Sequence, residues 1–313
     1  MFQTPYNAAP FSRFAPTDYL PAIEKAIAKS LKEIDTIAHN PEVPTYMNTI
    51  QPLAYVGLEL DRLTAMFFNL NSAETNETLQ AEAQRISPLL TDYSNDIRLN
   101  EALFKRVEAV YKTRNYLSAS PEQHTLLEKT YKSFTRNGAN LSSNDKEHLR
   151  KIDKELARLK LKFSENVLAE TQHYQWVITH KEELSGLPDF VLEMLATEAK
   201  KRHKEGWVIT LDLPVYTAVM KYANNRELRR KLFIDYHSRC AGNSAYNNEA
   251  NVLRIAELRA QRASLLGYPD YASLVLEERM AETSEKVMDF LNKLLTKAKP
   301  QAIKELEELK AFS

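Results

Sequence analysis

Histidine is the residue type that would most directly indicate metal-assisted chemistry in this chain, because two imidazoles four residues apart share one face of a helix. The zinc motif H-E-x-x-H uses that spacing and places its glutamate beside the metal-bound water. The seven histidines lie at positions 39, 124, 148, 173, 180, 203 and 237, and no two of them have this spacing. His180 is followed by Lys181-Glu182-Glu183, but Leu184 occupies the position of the second histidine. The sequence therefore predicts no metal ligand.

Nucleophiles, phosphate loops and carboxylate pairs show no catalytic pattern either. The motifs G-x-S-x-G, G-x-G-x-x-G and G-x-x-x-x-G-K are absent. Glu277 and Glu278 are adjacent, so on a helix their side chains point about 100° apart and do not form a pair. Cys240 is the only cysteine, which excludes an internal disulfide, and its simplest interpretation is a small packed side chain. From these residues alone we predict no catalytic residue.

The composition indicates a helical protein with balanced charge. Lys plus Arg and Asp plus Glu each number 42, so we predict neither a nucleic-acid nor a membrane partner. Only six glycines occur, while Leu, Ala, Glu and Lys are abundant. No apolar run reaches the roughly 20 residues of a membrane span, and the first residues lack the basic head and apolar core of a signal peptide. We expect a cytoplasmic protein, with a leader upstream of this sequence left open.

Apolar residues at helical spacing predict a series of helices. A helix capped by Thr45 is predicted to continue to the turn at 69–72, and residues 76–112 are predicted to form two helices interrupted near Asn95. A long amphipathic helix is predicted over 143–170, and the last helix is predicted to run through Pro300 into the C-terminus. Four aromatic residues are assigned to the core: Phe67, Phe68, Tyr131 and Phe163.

A small β element is predicted among these helices. The tetrapeptide Trp-Val-Ile-Thr occurs at 176–179 and again at 207–210, and its β-branched and aromatic residues are typical of strands. The sense in which the two strands pair stays open. The predicted fold class is therefore mainly α, with a small inserted two-strand β element.

Five extended segments together resemble one protein family. In order and spacing they are similar to the thimet oligopeptidase/neurolysin family of zinc metallopeptidases, and within it to the bacterial peptidyl-dipeptidases. The resemblance runs from about Asn7 to the last residue. The segments are FFNLNSAETNETLQ (67–80), LLEKTYKSFTRNGANLS (126–142), LKFSENVLAET (161–171), YANNRELRRKLFIDYHSR (222–239) and LGYPDYASLVLEERMAETSEKVMDFL (266–291).

The resemblance implies the multi-helix N-terminal half of a clam-shaped enzyme with a deep channel. Members of the family carry their H-E-x-x-H helix and further zinc and substrate residues in the later half, none of which matches a position here. We therefore expect three regions: an N-terminal helical domain over 1–172, a small β/α insertion over 173–213, and over 214–313 a helical segment that begins the catalytic region and is cut before the zinc site. The uncapped end of the last helix agrees with that expectation.

The implied function is that of a zinc-dependent peptidase acting on short peptides and releasing C-terminal dipeptides. Zinc is expected in the full-length parent and not in this chain, which would form a channel wall and be inactive alone. Four residues near the expected cut are candidates for contacts to the substrate, because phenol and guanidinium groups suit carboxylate binding. They are Tyr236, Arg239, Arg259 and Arg262. Structural ion pairs within the helices are the alternative role.

A second interpretation of the whole chain stays open. It is a stand-alone α-helical module that binds a peptide or partner protein in a groove without catalysis. Under the first interpretation, the faces left uncovered by the cut are expected to associate, giving a dimer through the C-terminal helices.

Overall fold

The computed structural model describes residues 4–312. Met1–Gln3, in the stretch without signal-peptide features, and Ser313, to which the last helix was predicted to run, lie outside the described residues. Most of the described chain is helical, and one pair of short strands lies within it, which confirms the mainly α fold class. The helices before the strands are α1 (Tyr19–Ala38), α2 (Gln51–Leu53), α3 (Leu58–Ala73), α4 (Glu77–Arg98), α5 (Glu101–Lys112), α6 (Pro121–Thr135) and α7 (Ser143–His173). The remaining elements are β1 (Trp176–Ile178), α8 (Asp189–Lys201), β2 (Trp207–Ile209), α9 (Leu213–Tyr222), α10 (Arg226–His237), α11 (Glu249–Leu265), α12 (Tyr271–Leu276) and α13 (Ser284–Phe312).

The chain divides into two compact units. The first unit contains the residues up to Glu155 and those from Glu257 onwards, and the second unit contains Leu156–Ala256. Helices α7 and α11 each contribute residues to both units. The three regions expected from the sequence, with boundaries at 172/173 and 213/214, stay a prediction.

The core of the first unit is built from the apolar faces of α1, α5 and α6. Ile34, Leu103, Val107 and Leu127 are almost completely buried in one cluster, and Tyr131 packs against it. Phe67 on α3 is fully buried against other aromatic rings, as predicted, and Phe68 is half-buried. Burial of such side chains stabilises the fold by about 1.5–3 kcal/mol each.

The second unit is organised around the two strands. They pair antiparallel, with Trp176 opposite Ile209 and Ile178 opposite Trp207. Helix α8 packs against β2 and closes the core with Val191 and Leu195. The two copies of Trp-Val-Ile-Thr are thus partners in one small sheet, and the pairing sense that the sequence left open is antiparallel.

Three details of the sequence interpretation were wrong. The single helix predicted after Thr45 is instead a π-helical turn followed by α2, and Gly57, with a φ of 78°, separates them from α3. Helix α3 then continues through the predicted turn at 69–72 and ends at Ala73. Helix α4 passes Asn95 and ends at Arg98, because the Asn100 side chain caps α5 by accepting from Leu103 N at 2.9 Å.

The assignment of Phe163 to the core was also wrong, since this ring is 37% exposed on α7. Periodicity alone could not separate it from the inward-facing leucines of the same helix, because they share its spacing.

Helix α13 has an uncovered apolar face. It continues through Pro300, as predicted, and its described residues from Ser284 to Phe312 include no buried side chain. Leu291, Leu294 and Leu295 are each about half exposed.

Candidate functional site

Two of the predicted substrate residues lie together in the second unit, near the end of α10. The Tyr236 ring stacks on Tyr216 with centroids 4.0 Å apart, and the Arg239 guanidinium lies 4.1 Å from the centroid of the Tyr236 ring. Arg239 also donates from Nε to Tyr236 O at 3.0 Å and from Nη1 to Thr171 Oγ1 at 3.0 Å. The ring contact and the two hydrogen bonds fix the orientation of the Arg239 guanidinium without any ligand.

The Glu170 carboxylate binds the start of the polar loop over 241–248, which follows Arg239 in the sequence. Glu170 Oε2 accepts from Cys240 N at 2.5 Å and from Ser244 Oγ at 2.7 Å. Cys240 has a left-handed φ of 58°, and its carbonyl accepts from Asn248 N at 2.7 Å. Asn248 is buried and its Oδ1 accepts from Asn166 Nδ2 at 2.9 Å. The loop over 241–248 is therefore anchored at several points.

The thiol of Cys240 is buried beside the same carboxylate. Burial is the larger cause and the adjacent Glu170 the second, and together they raise the pKa of Cys240 to about 11. A thiolate is disfavoured there because it would be desolvated next to a negative charge. The sequence interpretation of Cys240 as a small packed side chain agrees with its 5% exposure.

We predict that Glu170→Gln lowers the pKa of Cys240 below about 11. Removal of the negative charge relieves repulsion of the thiolate, whereas burial still opposes it, so the pKa falls but stays above its ordinary value. An NMR titration of the single labelled cysteine side chain measures the change. Glu182→Gln, a substitution of an exposed residue, is the matched control. An unchanged pKa in Glu170→Gln would contradict the role assigned to this carboxylate.

The other two predicted residues lie on α11 in the first unit. Arg262 donates from Nε to Asp153 Oδ1 and from Nη2 to Asn137 Oδ1, both at 2.8 Å. The Arg259 guanidinium lies 5.2 Å from the centroid of the Tyr271 ring, and its Nε is buried without a hydrogen-bond partner among the described residues. Arg262 thus forms the structural ion pair that was the alternative role, while Arg259 retains donor capacity.

Arg262 also lines a pocket of about 330 Å³ within the first unit. We call it the arginine pocket, because Arg136, Arg262 and Arg279 line it. Tyr271 and Leu274 form an apolar part of its wall. Sequence reasoning missed Arg136 and Arg279, because neither belongs to a recognisable motif. Arg136 precedes Asn137-Gly138, and Arg279 follows Glu277-Glu278.

A second groove, of about 410 Å³, lies in the second unit and carries both signs of charge. Lys231 Nζ lies 4.5 Å from the centroid of the Trp176 ring and donates to Asp235 at 2.5 Å. The Tyr174 hydroxyl also donates to Asp235, and burial, with this carboxylate, raises the pKa of the Tyr174 phenol. Tyr174, Lys231 and Asp235 thus satisfy one another by hydrogen bonds within the second unit.

The described side chains offer no metal centre. Between residues 4 and 312, no group of three or more His, Cys, Asp or Glu side chains lies close enough to hold a metal ion. The described residues therefore do not fit a zinc centre. Within the same range, no helix is both long and apolar enough to cross a membrane.

Comparison with known proteins shows which peptidases this chain resembles. Residues 219–313, which include all four predicted substrate residues, match the model of peptidase family M3. Over 98% of its length the chain is 33% identical to the dipeptidyl carboxypeptidase of Escherichia coli. This chain is similar to the M3 peptidases.

Two further M3 relatives align over nearly the whole chain. The oligopeptidase A of Escherichia coli is 31% identical over 99% of this chain, and the saccharolysin of Saccharomyces cerevisiae is 28% identical over 97% of it. The chain spans less than half the length of these relatives: 45% of the carboxypeptidase, 46% of oligopeptidase A and 42% of saccharolysin.

Proposed function

We propose that this chain is the N-terminal channel-wall region of a zinc-dependent peptidase that hydrolyses short peptides and releases C-terminal dipeptides. The observation that carries the proposal is the alignment of 98% of the chain with a dipeptidyl carboxypeptidase. The proposal includes a cytoplasmic location and no nucleic-acid or membrane partner, because the balanced charge favours neither.

Zinc belongs, in this proposal, to the parent protein and not to the described residues, which offer no cluster of ligands for it between positions 4 and 312. The contribution of this chain is then to bind and orient the peptide. Tyr236, Arg239, Arg259 and Arg262 are proposed to face the substrate channel, with Arg259 the strongest candidate because its Nε has no hydrogen-bond partner among the described residues.

The proposal predicts that peptidase activity belongs to the complete gene product. Incubated with short unstructured peptides, that product should release C-terminal dipeptides, and a chelator should abolish the release, whereas this chain alone should release none. Mass spectrometry of the products provides the measurement. Peptides with an amidated C-terminus are the control, because a dipeptide-releasing enzyme must recognise the free carboxylate.

Three results would count against this proposal. Chelator-sensitive hydrolysis by this chain alone would contradict the placement of the catalytic centre outside it. A complete gene product without peptidase activity would contradict the function itself. Micromolar binding of peptides by the chain alone, without hydrolysis by the complete product, would instead support the stand-alone binding module.

The exposed face of α13 predicts that the chain forms a dimer in solution. Two copies that packed through this face would remove its exposed apolar side chains, among them Leu295 and Leu306, from water. Light scattering should show a dimer, and Leu295→Glu combined with Leu306→Glu should shift it to a monomer. Gln301→Glu, between the two, is the control. A monomer at high concentration would contradict the prediction.

A further inference from the structure

The arginine pocket has more positive charge than its own carboxylates balance. Arg136 binds Glu277, and Arg262 binds Asp153 at 2.8 Å. A third carboxylate, that of Glu278, lines the pocket and forms ion pairs with Lys129 and Lys132. Each of these acidic groups therefore already has a cationic partner.

Two further guanidinium groups lie at the pocket. Arg279 lines it with an exposed side chain that forms no hydrogen bond or ion pair with any residue between 4 and 312. Arg259 lies beside the pocket, with its guanidinium 5.2 Å from the centroid of the Tyr271 ring, and its buried Nε donates to none of the described residues. The pocket thus offers guanidinium donors without acceptors, which is the electrostatic signature of an anion site.

The remaining wall distinguishes among anions. Tyr271, Leu274 and Val275 adjoin the arginines and are half-buried or buried. An inorganic anion would leave this apolar surface uncovered, whereas a carboxylate attached to an apolar side chain would cover it and gain from its burial.

We propose that the arginine pocket binds the terminal carboxylate of a peptide whose last residue is apolar, with Arg279 as the principal donor. This rests on the proposed function, since peptides are the substrates assigned there, and it deepens that function by naming a specificity-determining residue. The carboxylate accepts from the Arg279 guanidinium, and the terminal side chain packs on Tyr271 and Val275, the half-buried apolar residues of the wall. The site lies within the first unit, so it can be tested on this chain alone.

The test measures binding of an N-acetylated dipeptide that ends in leucine, by NMR titration of this chain. Because a single small pocket binds weakly, we expect a dissociation constant of about 1 mM. The corresponding C-terminal amide should bind about tenfold more weakly, and so should the acid to Arg279→Gln, since a charge-assisted hydrogen bond is lost in each case. An acid ending in glycine should bind several-fold more weakly than the leucine acid.

Arg226→Gln is the matched control, because it removes one positive charge from another exposed arginine outside the pocket. It should bind the leucine acid as the unsubstituted chain does. Circular dichroism should show unchanged folding in both variants, since neither side chain is buried.

Equal binding of acid and amide, or undiminished binding by Arg279→Gln, would overturn the proposal. Tighter binding of inorganic phosphate than of the leucine acid would overturn the assignment to a peptide carboxylate. These outcomes are independent of hydrolysis by the complete gene product, so failure of this site and failure of the proposed peptidase function are separate results.

Discussion

A Gly206→Ala variant is expected to lose about 3 kcal/mol of the free energy of unfolding of the second unit, as the sum of two costs. Gly206 has a left-handed φ of 83°, which disfavours a residue with a Cβ by about 1–2 kcal/mol. The added Cβ would also lie 2.2 Å from Ile178 O and 3.3 Å from Thr179 Cα. Both neighbours are backbone atoms, so relief of the overlap must move the two strands apart.

This displacement acts directly on the core of the second unit. Ile178 pairs with Trp207, the residue after Gly206, and Val208 and Ile209 are fully buried. Trp176 and Trp207 are the two tryptophans of the chain, and both lie in the sheet. Denaturant unfolding followed by tryptophan fluorescence therefore reports on the unit that the substitution perturbs.

Gly242→Ala separates the two costs. Gly242 also has a positive φ, 61°, and lies in the second unit, but no atom lies within 4 Å of a Cβ built there. Its variant should lose only about 1 kcal/mol, from the backbone conformation alone. Equal losses in the two variants would show that contact with the Ile178 carbonyl contributes nothing, contrary to the geometry.

The sequence predicted the kinds of elements better than their ends. The repeated Trp-Val-Ile-Thr predicted two strands because β-branched and aromatic residues favour extended backbone, and the structure pairs them. Their antiparallel sense depends on how α8 returns the chain to the sheet, which no local pattern records. Asn95 was mistaken for a helix break because Asn favours turns, yet its side chain is buried within α4 and the cap belongs to Asn100.

The candidate site was predictable in chemistry but not in arrangement. Carboxylate binding by the guanidinium groups on α11 stays a prediction; Arg262 lines the arginine pocket and Arg259 lies beside its Tyr271 wall. Which guanidinium groups stay available for a ligand depends on ion pairs between residues far apart in the sequence. Arg262 forms an ion pair with Asp153, whereas the Arg279 side chain has no partner among residues 4–312. Tertiary contacts of this kind determine which charges remain available, and a single sequence does not contain them.

Replacement of Arg106 by Met is expected to cost about 3 kcal/mol of stability in the first unit, because it leaves buried acceptors without donors. Arg106 on α5 is only 7% exposed. Its Nη1 donates to Asn40 O at 2.6 Å and to Glu42 O at 3.0 Å, and its Nη2 donates to Asn48 Oδ1 at 3.1 Å. These acceptors belong to the segment between α1 and α2, which has no helical hydrogen bonds of its own at Asn40 and Glu42.

The planar guanidinium is what makes this position sensitive. One Nη group donates to the carbonyl of Asn40, and the other donates to the side chain of Asn48, in the turn that contains Tyr46. These hydrogen bonds hold the turn beside α5, so Tyr46 and Ile50 lie in the same core cluster as α5. A lysine at 106 keeps the charge but concentrates its donors at one atom, so Arg106→Lys should recover only part of the loss. Thermal or denaturant unfolding followed by circular dichroism measures each variant.

Arg62→Met is the matched control, because it removes an exposed arginine from α3 in the same unit and should change stability by less than about 0.5 kcal/mol. If Arg106→Met were equally mild, the three hydrogen bonds of Arg106 would be dispensable and water would have to satisfy the carbonyls of Asn40 and Glu42. If Arg106→Lys restored full stability, charge alone would hold the segment. If the planar guanidinium of Arg106 holds the segment, Arg106→Met should lose about 3 kcal/mol of stability and Arg106→Lys should lose less.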